Sequence, residues 1–199
     1  MCAAVDTVVS APPDEDAALV ERSRAGDLRA FEALVDRYRA VVVRIARRIT
    51  GPADAEDVAQ ETFLRAFHRL GQYRGESPFR SWLLRIAHNT ALDTLARQRP
   101  SAADVESEEV GDLPHPHKTP AEQLEDDELR ERLLLKLREV QPTHRAVLVL
   151  RDLEGLSYEE IAQVTDAPLG SVKGRLFRAR RELIEALRHN TYDWELPGE

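Results

Sequence analysis

Cysteine is almost missing from this chain. Cys2 is the only one among 199 residues, so no internal disulfide and no cysteine-based zinc site can form. That suits a reducing compartment. Aromatic residues make up only 6%, and the abundant leucines, alanines and arginines favour helices. Long apolar runs are absent too. Uncharged stretches such as Ala146 to Leu150 fall far short of the roughly 20 residues that span a bilayer. The first residues lack the basic-then-apolar order of a signal peptide, and no internal repeat is visible. Secretion, membrane insertion and a disulfide scaffold are therefore not expected. With 42% hydrophobic and 32% charged residues, the composition is that of a folded globular chain.

The net charge of −8 hides an uneven distribution. Residues 1–16 carry −4, residues 17–99 carry +5, residues 100–128 carry −9, residues 129–189 carry +3 and residues 190–199 carry −3. Two basic blocks thus flank a strongly acidic strip, a pattern compatible with nucleic acid despite the acidic total. The strip holds Pro100, Pro114 and Pro116 among small polar residues. Prolines stop helix propagation and so little apolar surface cannot offset chain entropy. The organisation expected is all-α. It has a leader (1–15), a first helical domain (16–99), a flexible acidic linker (100–118), a second helical domain (119–189) and a tail (190–199).

In the first domain, apolar residues between Ala18 and Ile49 recur at three- and four-residue steps, interrupted at Gly26-Asp27 and ended by Gly51-Pro52. Asp54 is expected to cap a helix over 55–70. One face of that helix (Ala55, Ala59, Phe63, Ala66, Phe67, Leu70) should be buried. Asp57, Gln60, Glu61, Leu64 and His68 share another face. That stripe is either an ordinary wet surface or a docking ridge for a basic partner helix. Ser77-Pro78 then reads as a helix start, with Phe79, Trp82, Leu83 and Ile86 along one side. The run His88-Asn89-Thr90, with Asp93, predicts a kink or short loop before a last helix over 91–99. Flanked by Arg80, Arg85, Arg97 and Arg99, such a loop is either a simple helix break or a place to hold an unstacked base.

In the second domain, Thr119-Pro120-Ala121-Glu122 forms a capping box and opens a helix to about Val140, and Gln141-Pro142 opens another to Leu153, closed by Gly155. Ser157 to Glu160 is a further capping box for a short helix, followed by a turn and a basic helix from Ser171 to about His189. Short helix, tight turn and longer basic helix make the helix-turn-helix pattern. Asp166 occupies the turn position where glycine is common, and aspartate tolerates that geometry. Along the last helix Val172, Leu176, Ala179, Leu183 and Leu187 point inward. Lys173, Gly174, Phe177, Arg178 and Arg181 fall on the other side. In a major groove the cations reach guanine edges and the phenyl ring meets a thymine methyl. Arg175 and Arg180 flank them, placed for phosphates. The alternative is a solvated amphipathic helix.

Asp-Ala-Glu-Asp-Val-Ala-Gln-Glu-Thr-Phe (54–63), Arg-Gly-Glu-Ser-Pro-Phe-Arg-Ser-Trp-Leu (74–83), Leu-Glu-Gly-Leu-Ser-Tyr-Glu-Glu-Ile-Ala (153–162) and Gly-Ser-Val-Lys-Gly-Arg-Leu-Phe-Arg-Ala-Arg (170–180) resemble bacterial sigma factors of the extracytoplasmic-function group. The resemblance covers about residues 16–189, in order and with the expected gap. It implies a two-domain protein, resembling sigma regions 2 and 4, that carries core RNA polymerase to promoters and performs no catalysis. On that resemblance Asp57, Gln60, Glu61 and Leu64 match positions that dock on the clamp helices of the largest polymerase subunit. Arg80, His88, Asn89, Thr90 and Asp93 match the part that opens the −10 element and captures a flipped base. Ser171, Lys173, Gly174, Arg175, Phe177, Arg178 and Arg181 match the −35 reader. Gly174 stands where a small polar residue is frequent. The acidic linker would thread the RNA path inside polymerase. The second domain would meet the flap of the second-largest subunit, and an anti-sigma partner is implied, in the cytoplasm. No cofactor and no metal is expected; His115 and His117 in a linker make a poor site.

Two other readings compete. A free-standing helix-turn-helix regulator accounts for 157–181 but leaves Asp57, Gln60 and Glu61 idle and has no evident dimerisation segment. A metal-dependent hydrolase built on Asp54, Asp57 and Glu61 has no histidine converging on them.

Overall fold

The structure is a computed structural model that describes residues 13–98 and 132–189. The expectations for the leader, Arg99, the acidic linker, the capping box at Thr119, Leu124 and Leu129, and the tail lie outside the described residues. All regular structure among the described residues is helical. The first unit comprises α1 (Pro13–Arg24), α2 (Leu28–Thr50), α3 (Pro52–Arg69), a 3₁₀ turn (Leu70–Gln72) and α4 (Phe79–Gln98). The second comprises α5 (132–139), α6 (Pro142–Leu148), a π turn (Val149–Leu153), α7 (Tyr158–Thr165) and α8 (Leu169–Arg188).

The first unit is a bundle in which α2 packs against α1, α3 and α4. Asp27 caps α2, its carboxylate accepting from the Ala30 amide at 3.3 Å. Leu34, Val42, Ile45 and Ile49 then recur at helical spacing and are essentially inaccessible. Asp16 is a buried carboxylate joining α1 to α2. It accepts from Arg37 at 2.6 Å and from the Tyr38 hydroxyl, which burial and that carboxylate hold protonated far above its usual range. Gly51 closes α2 at φ +109° and also caps α3, which starts directly at Pro52. Asp54 therefore sits inside the first turn of α3 rather than at its cap. A proline at N1 lacks only an amide that would be unbonded anyway, so the helix needs no extra residues to begin.

In the second unit, Ser157 and Glu160 complete a reciprocal capping box at 3.1 and 2.8 Å. Asp166 takes the left-handed conformation at φ 51°, the geometry expected for it from the turn chemistry. The angle between α7 and α8 is set there.

The two units are packed together. Buried apolar side chains from both form one continuous cluster, and α4 lies along α7. The π turn ends with the Glu154 amide bonded to the Val149 carbonyl, and Gly155 turns the chain away at φ +71°. This extra residue in the turn swings Glu154 onto α2. There its fully buried carboxylate receives Arg44 Nη2 at 2.7 Å, Arg44 Nε at 2.9 Å and Arg48 Nη1 at 2.5 Å. Arg85 pairs with Asp166 at 2.5 Å, and Arg80 approaches Glu160 at 3.8 Å. The Arg138 guanidinium covers Gly51 so closely that a methyl group there would run into it.

Candidate nucleic-acid interface

The stripe read on α3 is a surface ridge. Asp57, Gln60 and Leu64 are exposed and Glu61 is half-buried. Glu61 accepts from Arg65 Nε at 2.7 Å, and the other end of Arg65 reaches Asp93 at 3.0 Å. Asp93, placed with the −10 set by the resemblance, is thus tied to the ridge across α4. Beside the ridge runs a groove of about 570 Å³ between α2 and α3, whose apolar wall includes Leu28, Phe31, Val35, Phe63, Leu64 and Phe67. Leu28 is 60% exposed and Leu64 50%. Large apolar side chains left in water beside one another mark a surface that meets another molecule. Phe67, expected in the core, is 41% exposed. Its ring meets Phe31 edge-on at 5.0 Å, and nothing among the described residues closes over the pair. The spacing of Leu28, Phe31 and Val35 carried this signal, but only the packing of α2 on α3 distinguishes an open groove from a core.

The polar run in α4 does not break the helix. α4 is continuous from Phe79 to Gln98, so the expected kink at His88-Asn89-Thr90 is absent. Thr94 donates to the Thr90 carbonyl at 3.0 Å, an intrahelical bond that lets threonine remain in a helix. Helical geometry separates the residues that a loop would have gathered. Asn89 is exposed, whereas His88 and Thr90 are buried, and the Thr90 hydroxyl has no hydrogen-bond partner among the described residues. Arg80, Arg85 and His88 turn toward the second unit: Arg80 and Arg85 face Glu160 and Asp166, and Arg175 lies near enough to act on the His88 charge. The irregular segment is instead Tyr73 to Pro78, with Gly75 at φ +73° and the Tyr73 hydroxyl donating to the Ser77 carbonyl at 2.7 Å. Trp82 is half-buried in a cluster with Tyr73 and Phe79 at its base.

Burial lowers the His88 pKa; the hydrogen bond with Asn89 opposes it in part, and the Arg175 charge adds a smaller downward push. The folded chain therefore prefers neutral His88. Its contribution is complete above the ordinary imidazole value of about 6.5 and declines as pH falls from there toward the depressed value, because the unfolded chain binds the proton first. Melting temperature should drop between pH 6.5 and 5 more steeply for the parent than for His88→Gln. Equal slopes would assign the acid sensitivity to carboxylates instead.

On α8, Ser171, Lys173, Phe177, Arg178 and Arg181 are exposed, Gly174 and Arg175 are half-buried, and Val172, Leu176 and Ala179 face the core. Phe177 is 64% exposed, with the Arg181 guanidinium 6.0 Å from its ring centre. One bare phenyl ring among cations, with Gly174 one turn before it, forms a shallow positive surface of the width of a helix. Arg180 departs from the phosphate role expected for it. It is held by Asp152 at 2.7 and 3.0 Å, an exposed pair. Arg178 is also not free: its Nε donates to His144 at 3.3 Å. Among the described residues no group of histidines and carboxylates converges as a metal site, and no helix is long and apolar enough to cross a membrane.

Comparison with known proteins fits this division. Residues 34–101 match the family model for Sigma-70 region 2, and residues 130–183 match that for Sigma-70, region 4. The chain is similar to the ECF RNA polymerase sigma-E factor of Haemophilus influenzae, with 41% identity over 85% of this chain and 93% of the relative. It is similar to the RNA polymerase sigma-H factor of Pseudomonas aeruginosa at 38% identity, covering 88% and 95%. Its fold resembles that of CnrH, solved in complex with the cytosolic domain of CnrY. The TM-score is 0.65 and the identity 30%, covering 89% of this chain and 99% of that one.

Proposed function

The chain belongs to the extracytoplasmic-function group of the sigma-70 family, and from that premise we propose how its residues divide the work. A sigma factor of this kind binds core RNA polymerase and directs promoter-specific initiation through −10 and −35 recognition. The observation that carries the reading is the pair of family matches, in order, on the two helical units. The domains run over 16–99 and 119–189, with 100–118 as the acidic connector. The chain works in the cytoplasm, has no catalysis of its own, and takes an anti-sigma partner; CnrH, whose fold it resembles, is itself held in a complex with the cytosolic domain of CnrY.

Asp57, Gln60, Glu61 and Leu64 grip the clamp helices, with acid and amide groups meeting basic side chains and Leu64 with the neighbouring groove burying apolar surface. Arg80, His88, Asn89, Thr90 and Asp93 serve the −10 element. Asn89 and Asp93 are already exposed, and His88, Arg80 and Arg85 become available when α4 leaves α7. Lys173, Phe177, Arg178 and Arg181 read the −35 element, with Ser171 and Arg175 on the backbone and Gly174 permitting close approach. The closed arrangement buries part of the −10 set against the unit that reads −35, so both elements cannot be engaged until the units separate.

In vitro transcription with purified core polymerase on a template library, followed by start-site mapping, tests the reading. Starts should appear downstream of one recurring pair of elements and disappear when the chain is omitted. An unchanged start-site map, or tight polymerase-independent binding to a palindromic duplex, would favour the free-standing regulator.

A further inference from the structure

We infer that His144 is a positioning residue for base reading by Arg178, with Glu182 fixing its tautomer; the inference rests on the assignment of Arg178 to the −35 element. His144 lies in the first turn of α6, outside the helix-turn-helix. Its Nδ1 is 2.6 Å from Glu182 Oε1, and its Nε2 is 3.3 Å from Arg178 Nε. A carboxylate only accepts and a guanidinium only donates. Both contacts are satisfied by one form, the neutral ring with its proton on Nδ1. The relay is itself anchored. Glu182 Oε2 accepts the Gln141 amide at 2.9 Å, and the Gln141 side chain accepts the His144 amide at 3.2 Å. Two helices therefore hold the ring.

The consequence falls on the guanidinium. Arginine can address guanine either through Nε and one terminal nitrogen or through both terminal nitrogens. With Nε engaged by His144, only the end-on fork remains. Its two nitrogens lie 3.7 and 3.8 Å from where a Cβ on Gly174 would stand. The fork is thus laid symmetrically over Gly174, a position of α8 that has no side chain, one turn N-terminal of Arg178. A flexible arginine gives up much rotamer freedom on binding. A ring that holds it beforehand reduces that loss and selects one bidentate geometry.

The test is holoenzyme transcription from a library randomised at the −35 element, with Arg178→Ala, His144→Leu, His144→Gln, Glu182→Gln and the Arg178→Ala, His144→Leu double variant. Arg178→Ala should flatten preference at one base pair by about tenfold or more. His144→Leu should flatten the same base pair by about fivefold, the effect of losing one ordinary hydrogen bond at an exposed site. Binding to non-specific DNA and its salt slope should stay unchanged. His144→Gln, which can accept from Arg178 and donate to Glu182, should restore most of the preference. Glu182→Gln should reproduce the loss in part, and the double variant should be no worse than Arg178→Ala. If Arg178→Ala alters no base preference, the assignment of Arg178 falls. If it does while His144→Leu behaves as the parent, or weakens all sequences equally, His144 is a structural residue and the positioning inference falls alone.

Discussion

The double change Glu61→Arg, Leu64→Asp should remove polymerase binding while leaving the chain folded. Glu61 and Leu64 stand almost one turn apart on the exposed ridge of α3. Leu64 is 50% exposed at the rim of the apolar groove, so its removal costs little in the free protein. Aspartate there would have to be desolvated when a partner closes over it. Glu61 gives up a pair with Arg65 whose members are 44% and 27% exposed; such helix pairs contribute about 0.3–0.5 kcal/mol. At the interface the same reversal replaces attraction to a basic helix with repulsion. Truncating one partner of a closely hydrogen-bonded interfacial charge pair costs about 2–5 kcal/mol, so the affinity should fall by at least about thirtyfold. Pull-down of core polymerase beside a thermal melt reads both quantities. Full capture by the folded double variant would remove the ridge from the docking surface.

Helices were legible wherever apolar period and capping chemistry agreed. The break at Gly26-Asp27, the Ser157 to Glu160 box and the inward stripe of α8 are local patterns whose structural meaning needs no distant partner. The errors have a common cause. His88-Asn89-Thr90 looked like a break because asparagine and threonine compete for backbone bonds, but packing of α4 on its neighbouring helices outweighs that preference. Phe67 looked like core because it follows the apolar period, which cannot say whether anything lies above it. Asp54 looked like a cap because the sequence does not reveal that Gly51 serves two helices at once. In the candidate sites, the ridge and the α8 cations were visible as residue types on a face. The groove beside the ridge, the link from His144 to Arg178 and the clasp on Glu154 join residues 32, 34 and more than 100 positions apart. Only tertiary structure brings such groups together.

That clasp carries the second large effect. Glu154 is the acid of a motif otherwise read only as a lead-in to the helix-turn-helix, yet its carboxylate is fully buried between the units. Arg44 and Arg48 reach it with 36% and 24% of their side chains still exposed. Removing one partner of a wholly buried pair costs about 3–5 kcal/mol. Since the two arginines can be partly rehydrated, about 2–3 kcal/mol is the fitting value for Glu154→Ala. That is roughly a 30- to 150-fold shift from the closed to the open arrangement. Arg85→Ala removes a pair whose members are 43% and 75% exposed, and such surface pairs contribute about 1 kcal/mol at most. With Cys2 replaced by serine and dyes at the exposed positions Gln72 and Arg188, energy transfer should drop sharply in Glu154→Ala and barely in Arg85→Ala. The apparent affinity for core polymerase should rise in the same order, because a binding-competent state that is scarce in the parent becomes common. Equal transfer in the parent and Glu154→Ala would mean that the apolar contact of α4 with α7 holds the units without the clasp. Equal losses in both variants would mean that burial of the carboxylate adds nothing to a surface pair.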